Sequence, residues 1–224
     1  MQPIAGMMQG AVWPRWTGRQ NNSDMRTTTK LLLFAAAILL VWAATPQTTI
    51  TARSGPEYTS DGQLRLPENY REWVYLSSGF DMSYNPAIEV GHHMFDNVFV
   101  NPEAWRRFLE SGTWPDKTML VLEARGAEGR GSINQKGNFQ GTAVMGLEVH
   151  VKDPARFRGK WAFFGFSGTG KTAKMIPLTE NCYSCHSEHG AVDTTFVQFY
   201  PTLMPIAKEK GTVAAAYQNQ AGNR

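Results

Sequence analysis

The chain has 224 residues, and its 22 Lys and Arg against 19 Asp and Glu give a formal net charge of +3. Four of the basic residues and one of the acidic residues lie before residue 45, so residues 45–224 hold 18 of each sign. This neutral stretch of 180 residues gives no support for binding to nucleic acid or to an anionic membrane. Its length suits one domain of ordinary size.

The first 44 residues carry the features of an export signal. A basic segment at residues 25–30 precedes an unbroken apolar run of 14 residues at 31–44. The run fits the core of a secretory signal and is shorter than the roughly 20 residues that a membrane-spanning helix needs. We therefore predict a signal peptide at residues 25–44, preceded by an N-terminal extension, with the two together covering residues 1–44. An uncleaved membrane anchor is the alternative.

The polar stretch that follows contains Pro46, Gly55 and Pro56, and we interpret residues 45–66 as a loose arm. The remainder, residues 67–224, is predicted to be the folded domain.

A helix start is predicted at Asn101, because Asn favours the N-cap, Pro102 the first helical position and an acid the first turn. Trp105, Phe108 and Leu109 would lie on one face of this helix, and Gly112 is a natural terminator. A last helix is predicted at about residues 206–218.

Alternation and apolar runs predict that the rest of the domain is rich in strands. The strands are expected at residues 74–77, 97–100, 118–123, 142–152 and 159–166. In the fourth of these, Leu147 and Val149 would lie on one face, and Gly146, Glu148 and His150 on the other. The fold class is therefore mainly β (α+β), with a few peripheral helices.

Residues 165–172 fit the Walker A pattern of phosphate-binding loops. That mechanism needs a helix directly after the lysine, and Pro177 follows Thr172 too closely to allow one. We interpret the segment as a glycine-rich turn after a strand.

The strongest motif is Cys-Tyr-Ser-Cys-His at residues 182–186, which contains the only two cysteines of the chain. This spacing is the attachment signature of a c-type haem. Cys182 and Cys185 would each form a thioether with the haem, and His186 would bind the iron. A disulfide between the cysteines would close a very small loop. A zinc site would need two more ligands, and only His189 is close.

No sixth iron ligand is assigned, and an open position for a small molecule is expected. The histidines and methionines that were considered for that position are His92, His93, His150, His189, Met82, Met94, Met119, Met145, Met175 and Met204.

Residues 181–203, which include the haem motif, strongly resemble the haem region of the cytochrome P-460 family. Residues 67–73, 95–102, 113–116 and 159–163 resemble other parts of the same family. The resemblance implies an antiparallel β-sheet with a few helices, one covalent haem c with five-coordinate iron, and a homodimer. Enzymes of this family oxidise hydroxylamine in the periplasm to nitrous or nitric oxide. A relative with the same fold, cytochrome c-prime beta, binds nitric oxide.

Two further positions follow from the resemblance. The enzymes carry a lysine that is cross-linked to the haem edge, and the matching position here is Leu122. The nearest lysine, Lys117, is about 16 Å away along a strand and on the opposite face, so the cross-link is expected to be absent. A second-sphere carboxylate that assists proton transfer matches Glu148. The alternation of its strand supports this role, although the same pattern allows Glu148 to face solvent.

The sequence thus supports a periplasmic, haem-dependent hydroxylamine oxidoreductase in which Glu148 takes the proton and a soluble cytochrome takes the electrons. The alternative is a non-enzymatic protein that binds nitric oxide or transfers electrons, with an apolar pocket formed by Leu122, Phe95 and Phe99.

Overall fold

The computed structural model describes residues 55–83 and 93–221. The predicted signal peptide, the N-terminal extension and His92 lie outside these residues. The strands are β1 (Leu64–Arg65), β2 (Val74–Phe80), β3 (Met94–Val100), β4 (Met119–Glu128), β5 (Phe139–Lys152), β6 (Trp161–Phe166) and β7 (Thr172–Ala173). The helices are α1 (Pro102–Ser111), α2 (Asn181–His189), α3 (Met204–Glu209) and α4 (Ala215–Ala221), with short 3-10 turns at Tyr70–Glu72 and Val197–Phe199.

Five strands form one antiparallel sheet in the order β2-β3-β4-β5-β6. Consecutive strands are neighbours, so the sheet is a meander that needs only short connections. A second sheet pairs β1 with β7, also antiparallel. The mainly β (α+β) prediction is confirmed. No helix in the described part of the chain is long and apolar enough to cross a membrane.

The two faces of the large sheet have different roles. Residues that are paired across neighbouring strands share a face. One such row, which includes Phe99, Val121, Val149 and Phe164, packs into a hydrophobic cluster with β1 and the turn at Tyr70. The residues that alternate with these along the strands, among them Glu148, point to a cavity on the other face. The alternation predicted for β5 is therefore confirmed around Glu148.

Helix α1 forms as predicted, with Pro102 in its first turn and Gly112 in the left-handed conformation at its end, φ 74°. The side chain of Asn101 does not cap this helix. Its Oδ1 instead accepts a hydrogen bond from the Met119 N–H (2.8 Å), which ties the helix start to β4. Phe108 and Ala104 are buried against the C-terminal segment.

The predicted last helix is divided in two. Helix α3 ends at Glu209, and Gly211 then adopts a left-handed backbone, φ 67°. Thr212 donates its hydroxyl proton to the Gly112 carbonyl (2.7 Å), which holds this turn against the end of α1. The single helix at about 206–218 was wrong because glycine and this side-chain contact favour a turn.

Two connecting segments pack against the sheets. Leu64, near the end of the predicted arm, is fully buried and pairs with Ala173. The Walker-like segment passes from β6 through a turn at Gly168, φ 55°, directly into β7. No helix follows Lys171, so the interpretation of this segment as a turn is confirmed.

Candidate functional site

A cavity of about 400 Å³ lies between the sheet and the C-terminal segment. Its size is in the range of sites for small molecules and cofactors. The sheet contributes Ser77, Gly79, Asp96, Val98, Leu120, Leu122, Glu148, His150, Phe163 and Phe164. The C-terminal segment contributes Ile176, Asn181, Cys182, Cys185, His186, Thr195, Phe196, Phe199 and Tyr200.

The Cys-x-x-Cys-His motif lies on α2, and Cys182, Cys185 and His186 all line the cavity. Residues three and four apart are neighbours on one face of a helix, so this spacing presents both thiols and the imidazole together. Both thiols are free. Burial raises the pKa of Cys182, which keeps that thiol protonated.

Tyr183, inside the motif, points away from the solvent and fixes α2 to the sheet. Its hydroxyl donates to the Ile176 carbonyl (2.8 Å) and accepts from the Phe163 N–H (3.3 Å). The Tyr183 ring also meets the Phe163 ring edge-on, with 4.9 Å between centroids. Tyr183 therefore anchors α2 to the sheet.

His186 has the geometry of a metal ligand held by one hydrogen bond. Its Nδ1 lies 2.9 Å from the Thr194 carbonyl oxygen, so Nδ1 carries the proton and Nε2 is left free to bind a metal. Burial lowers the pKa of His186, which favours the neutral ring that a metal needs. Phe196 and Phe163 pack on the imidazole at 4.2 and 4.6 Å between centroids.

The loop that supplies the Thr194 carbonyl is held in place by several side-chain contacts. Asp193 and Thr194 both have positive φ, 48° and 61°. Lys152 forms an ion pair with Asp193 and donates to the Trp114 carbonyl (2.6 Å). Trp114 in turn donates its indole N–H to the Thr195 hydroxyl (2.8 Å), in a fully buried contact. The backbone conformation beside His186 is thus set by contacts from β5 and from the segment after α1.

Replacing Trp114 with phenylalanine should destabilise the holoprotein by about 2–3 kcal/mol, because the change leaves a cavity and removes the buried hydrogen bond from the indole to the Thr195 hydroxyl, which keeps its bond to the Val192 carbonyl. Urea unfolding followed by far-UV circular dichroism measures this loss. Thr195→Ser keeps the hydroxyl and serves as the control, with an expected cost of about 1 kcal/mol for the lost methyl group. An unchanged unfolding midpoint for Trp114→Phe would show that the indole does not hold the loop.

Glu148 faces the cavity from the middle of β5. Its cross-strand neighbours are Leu122 on β4 and Gly165 on β6. Within the described part of the chain its carboxylate makes no hydrogen bond or ion pair, and its exposed surface opens to the cavity. Burial raises the pKa of Glu148, and the nearby charge of Asp96 raises it further. The carboxylate is therefore available to a bound molecule and is a stronger base than an exposed glutamate.

Leu122 lies on the cavity wall, where it pairs across the strands with Glu148 on β5 and with Val98 on β3. Lys117 lies outside the cavity, in a turn with φ 65°, and forms an ion pair with Asp153 (2.6 Å). Leu122 therefore occupies a position from which a side chain reaches the cavity, whereas Lys117 does not.

Phe95 and Phe99 do not line the cavity, and this part of the sequence interpretation was wrong. Strand β3 is turned so that Asp96 and Val98 face the cavity. Phe95 packs on Phe80 (4.8 Å between centroids) and Phe99 joins the opposite hydrophobic cluster. The apolar wall is built by other residues, namely Val98, Leu120, Leu122, Phe163, Phe196 and Phe199.

Two cavity residues were missed as site candidates. Asp96 is a second carboxylate, and the alternation of β3 would have identified its face. His150 was considered only as an iron ligand. It is buried, stacks on Phe163 at 3.9 Å and lies 4.9 Å from the His186 ring. Burial holds the pKa of His150 well below its usual value, and His186 adds to this effect.

Of the methionines and histidines considered as sixth ligands, those that the structure describes on the cavity wall are Met82 and His150. Met119 belongs to the opposite core, and Met145 and Met175 are exposed. His93 is exposed and paired with Asp81 (2.6 Å). No group of three or more His, Cys, Asp and Glu is arranged to hold a metal ion in the described residues.

The antiparallel meander, the largely apolar cavity and the free Nε2 of His186 fit a β-sheet protein that holds a cofactor through a histidine ligand. Residues 67–197, more than half of the chain, match the family model described as Cytochrome P460. The chain belongs to the cytochrome P460 family, and this membership implies a haem cofactor and chemistry on nitrogen compounds. A search of curated proteins finds no significant match.

Proposed function

We propose that this protein carries one covalently attached haem c and oxidises hydroxylamine in the periplasm. The observation that supports this most directly is that Glu148 faces the same cavity as Cys182, Cys185 and His186. The candidate base and the residues that would attach the haem therefore face the same cavity, as general base catalysis on a bound ligand requires.

The attachment needs no redox step. Each thiol would hold the haem through a thioether to a vinyl carbon, with the thiol hydrogen carried by the neighbouring carbon. Cys182 and Cys185 would hold the group along α2, and His186 Nε2 would bind the iron while Thr194 keeps Nδ1 protonated. When bound, the haem supplies a site for the substrate nitrogen and an acceptor for its electrons.

Glu148 would take a proton from an N–H or O–H of the substrate. Its raised pKa makes it a better base, and it faces the cavity beside Leu122 and Val98. The electrons would pass to a soluble cytochrome, and we expect a homodimer, as in relatives with this fold. The apolar run at residues 31–44 supports export to the periplasm.

A second candidate is a protein that binds nitric oxide or transfers electrons without turnover. Leu122 favours it, since an apolar side chain replaces the cross-linking lysine in the cavity wall next to Val98 and Leu120. An apolar wall suits a small neutral gas.

Resonance Raman spectra of the ferrous holoprotein, combined with steady-state oxidation of hydroxylamine by an artificial electron acceptor, test the proposal. We expect five-coordinate iron and turnover. A low-spin, six-coordinate spectrum without added ligand would overturn binding of substrate at the iron. Five-coordinate iron without turnover would favour the gas-binding candidate.

A further inference from the structure

Two carboxylates, and not one, face the cavity. Asp96 on β3 and Glu148 on β5 lie on either side of β4, and both line the cavity wall. Asp96 is level with Ala124 on β4, which in turn pairs with Gly146 on β5. Ala124 and Gly146 are small residues on the cavity face beside the two acids, and Leu122 is the larger neighbour of Glu148 on β4. A Cβ atom added to Gly146 would meet nothing within 4 Å, so the space above Gly146 is open.

Neither acid is neutralised by the protein. In the stretches that the structure describes, Asp96 and Glu148 make no hydrogen bond or ion pair, and no Lys or Arg lines the cavity. An unpaired carboxylate next to apolar side chains costs free energy, and proteins retain such groups where chemistry uses them. The pair is therefore a candidate for function and not for stability.

Neighbouring negative charges raise the pKa of both acids. Burial raises the pKa of Asp96, and the Asp81 carboxylate beside it raises it further. Asp81 itself is held by His93 and by the Met94 N–H (2.9 Å). Asp96 likewise raises the pKa of Glu148. Among the described residues, the other titratable groups on the cavity wall are Cys182, Cys185, His150, His186 and Tyr200.

We propose that Asp96 and Glu148 act as a coupled pair of proton acceptors, each taking one proton from the same bound nitrogen substrate. This inference rests on the proposed function. Oxidation of one hydroxylamine to nitric oxide breaks two N–H bonds and one O–H bond and releases three protons and three electrons. The pair would hold two of the protons, the third would pass to solvent, and the electrons would go to the cytochrome acceptor.

The coupling is tested without turnover by infrared difference spectroscopy of the holoprotein as a function of pH. Carboxyl bands assigned with Asp96→Asn and Glu148→Gln report the protonation of each acid. In Asp96→Asn the pKa of Glu148 should fall towards its ordinary value, because one neighbouring negative charge is removed. The control is Asp116→Asn, at an exposed position outside the cavity. An unchanged Glu148 titration in Asp96→Asn would overturn the coupling.

The catalytic part is tested with hydroxylamine and a pH-indicator dye under single-turnover conditions. Asp96→Asn should lower kcat/KM roughly 10-fold, because Glu148 still accepts one proton, and it should release one more proton to solvent in the fast phase than the natural protein. An equal proton yield would overturn the second acceptor. If neither the natural protein nor Asp96→Asn oxidises hydroxylamine, but the Glu148 titration still shifts in Asp96→Asn, the proposed reaction is contradicted. The electrostatic coupling between Asp96 and Glu148 is then supported on its own.

Discussion

Changing both Cys182 and Cys185 to serine should abolish the retention of haem on a denaturing gel. Serine cannot form the thioether bonds, and the haem would be held only by His186 and by apolar contacts that denaturation removes. Peroxidase staining of the gel and the mass of the purified chain measure the loss. The natural protein should retain one haem mass per chain.

The matched control for this experiment lies between the two cysteines. Ser184 is exposed, and its hydroxyl donates a hydrogen bond to the Asn181 carbonyl of its own helix (3.1 Å). Ser184→Ala should therefore retain the haem in full. A stained band of natural intensity from the double serine variant would contradict covalent attachment at this motif.

Glu148→Gln should lower kcat/KM for hydroxylamine by about 100-fold or more at neutral pH, because glutamine cannot accept a proton. The pH profile gives a second signature. Only the ionised carboxylate is a base, so activity should rise with pH as Glu148 loses its proton. Since burial and Asp96 raise its pKa, this rise should lie above the range of an ordinary glutamate. The rise should be absent in the glutamine variant, as initial rates across pH would show.

Glu148→Asp supplies the comparison, because it keeps the charge and shortens the side chain. It should recover part of the rate and keep a rise with pH. A glutamine variant with the natural rate and the natural pH profile would remove Glu148 from the mechanism.

The haem motif and the cavity face of β5 were predictable because each depends on short-range spacing. A helix brings Cys182, Cys185 and His186 to one side, and a strand does the same for Gly146 and Glu148. The Leu122 position followed from family resemblance, and the register of β4 against β5 confirms that it faces the cavity.

The contacts that position His186 were not predictable. They join Trp114, Lys152 and Asp193, which are far apart in the chain, and they depend on left-handed backbone at Asp193 and Thr194. Glycine, asparagine and aspartate adopt this conformation most readily, so it is accessible to Asp193, but no local pattern favours it at Thr194. Asp96 was missed for a different reason, since the neighbouring phenylalanines of β3 were assigned to the wrong face.

Leu122 on β4 is paired directly with Glu148 on β5, so the two side chains are neighbours on the cavity wall. A lysine at position 122 would place an ammonium group beside this carboxylate and lower its pKa by favouring the ionised form. Leucine leaves Glu148 with a high proton affinity. The side chain at position 122 would therefore set both the apolar character of this part of the cavity wall and the proton affinity of the proposed base.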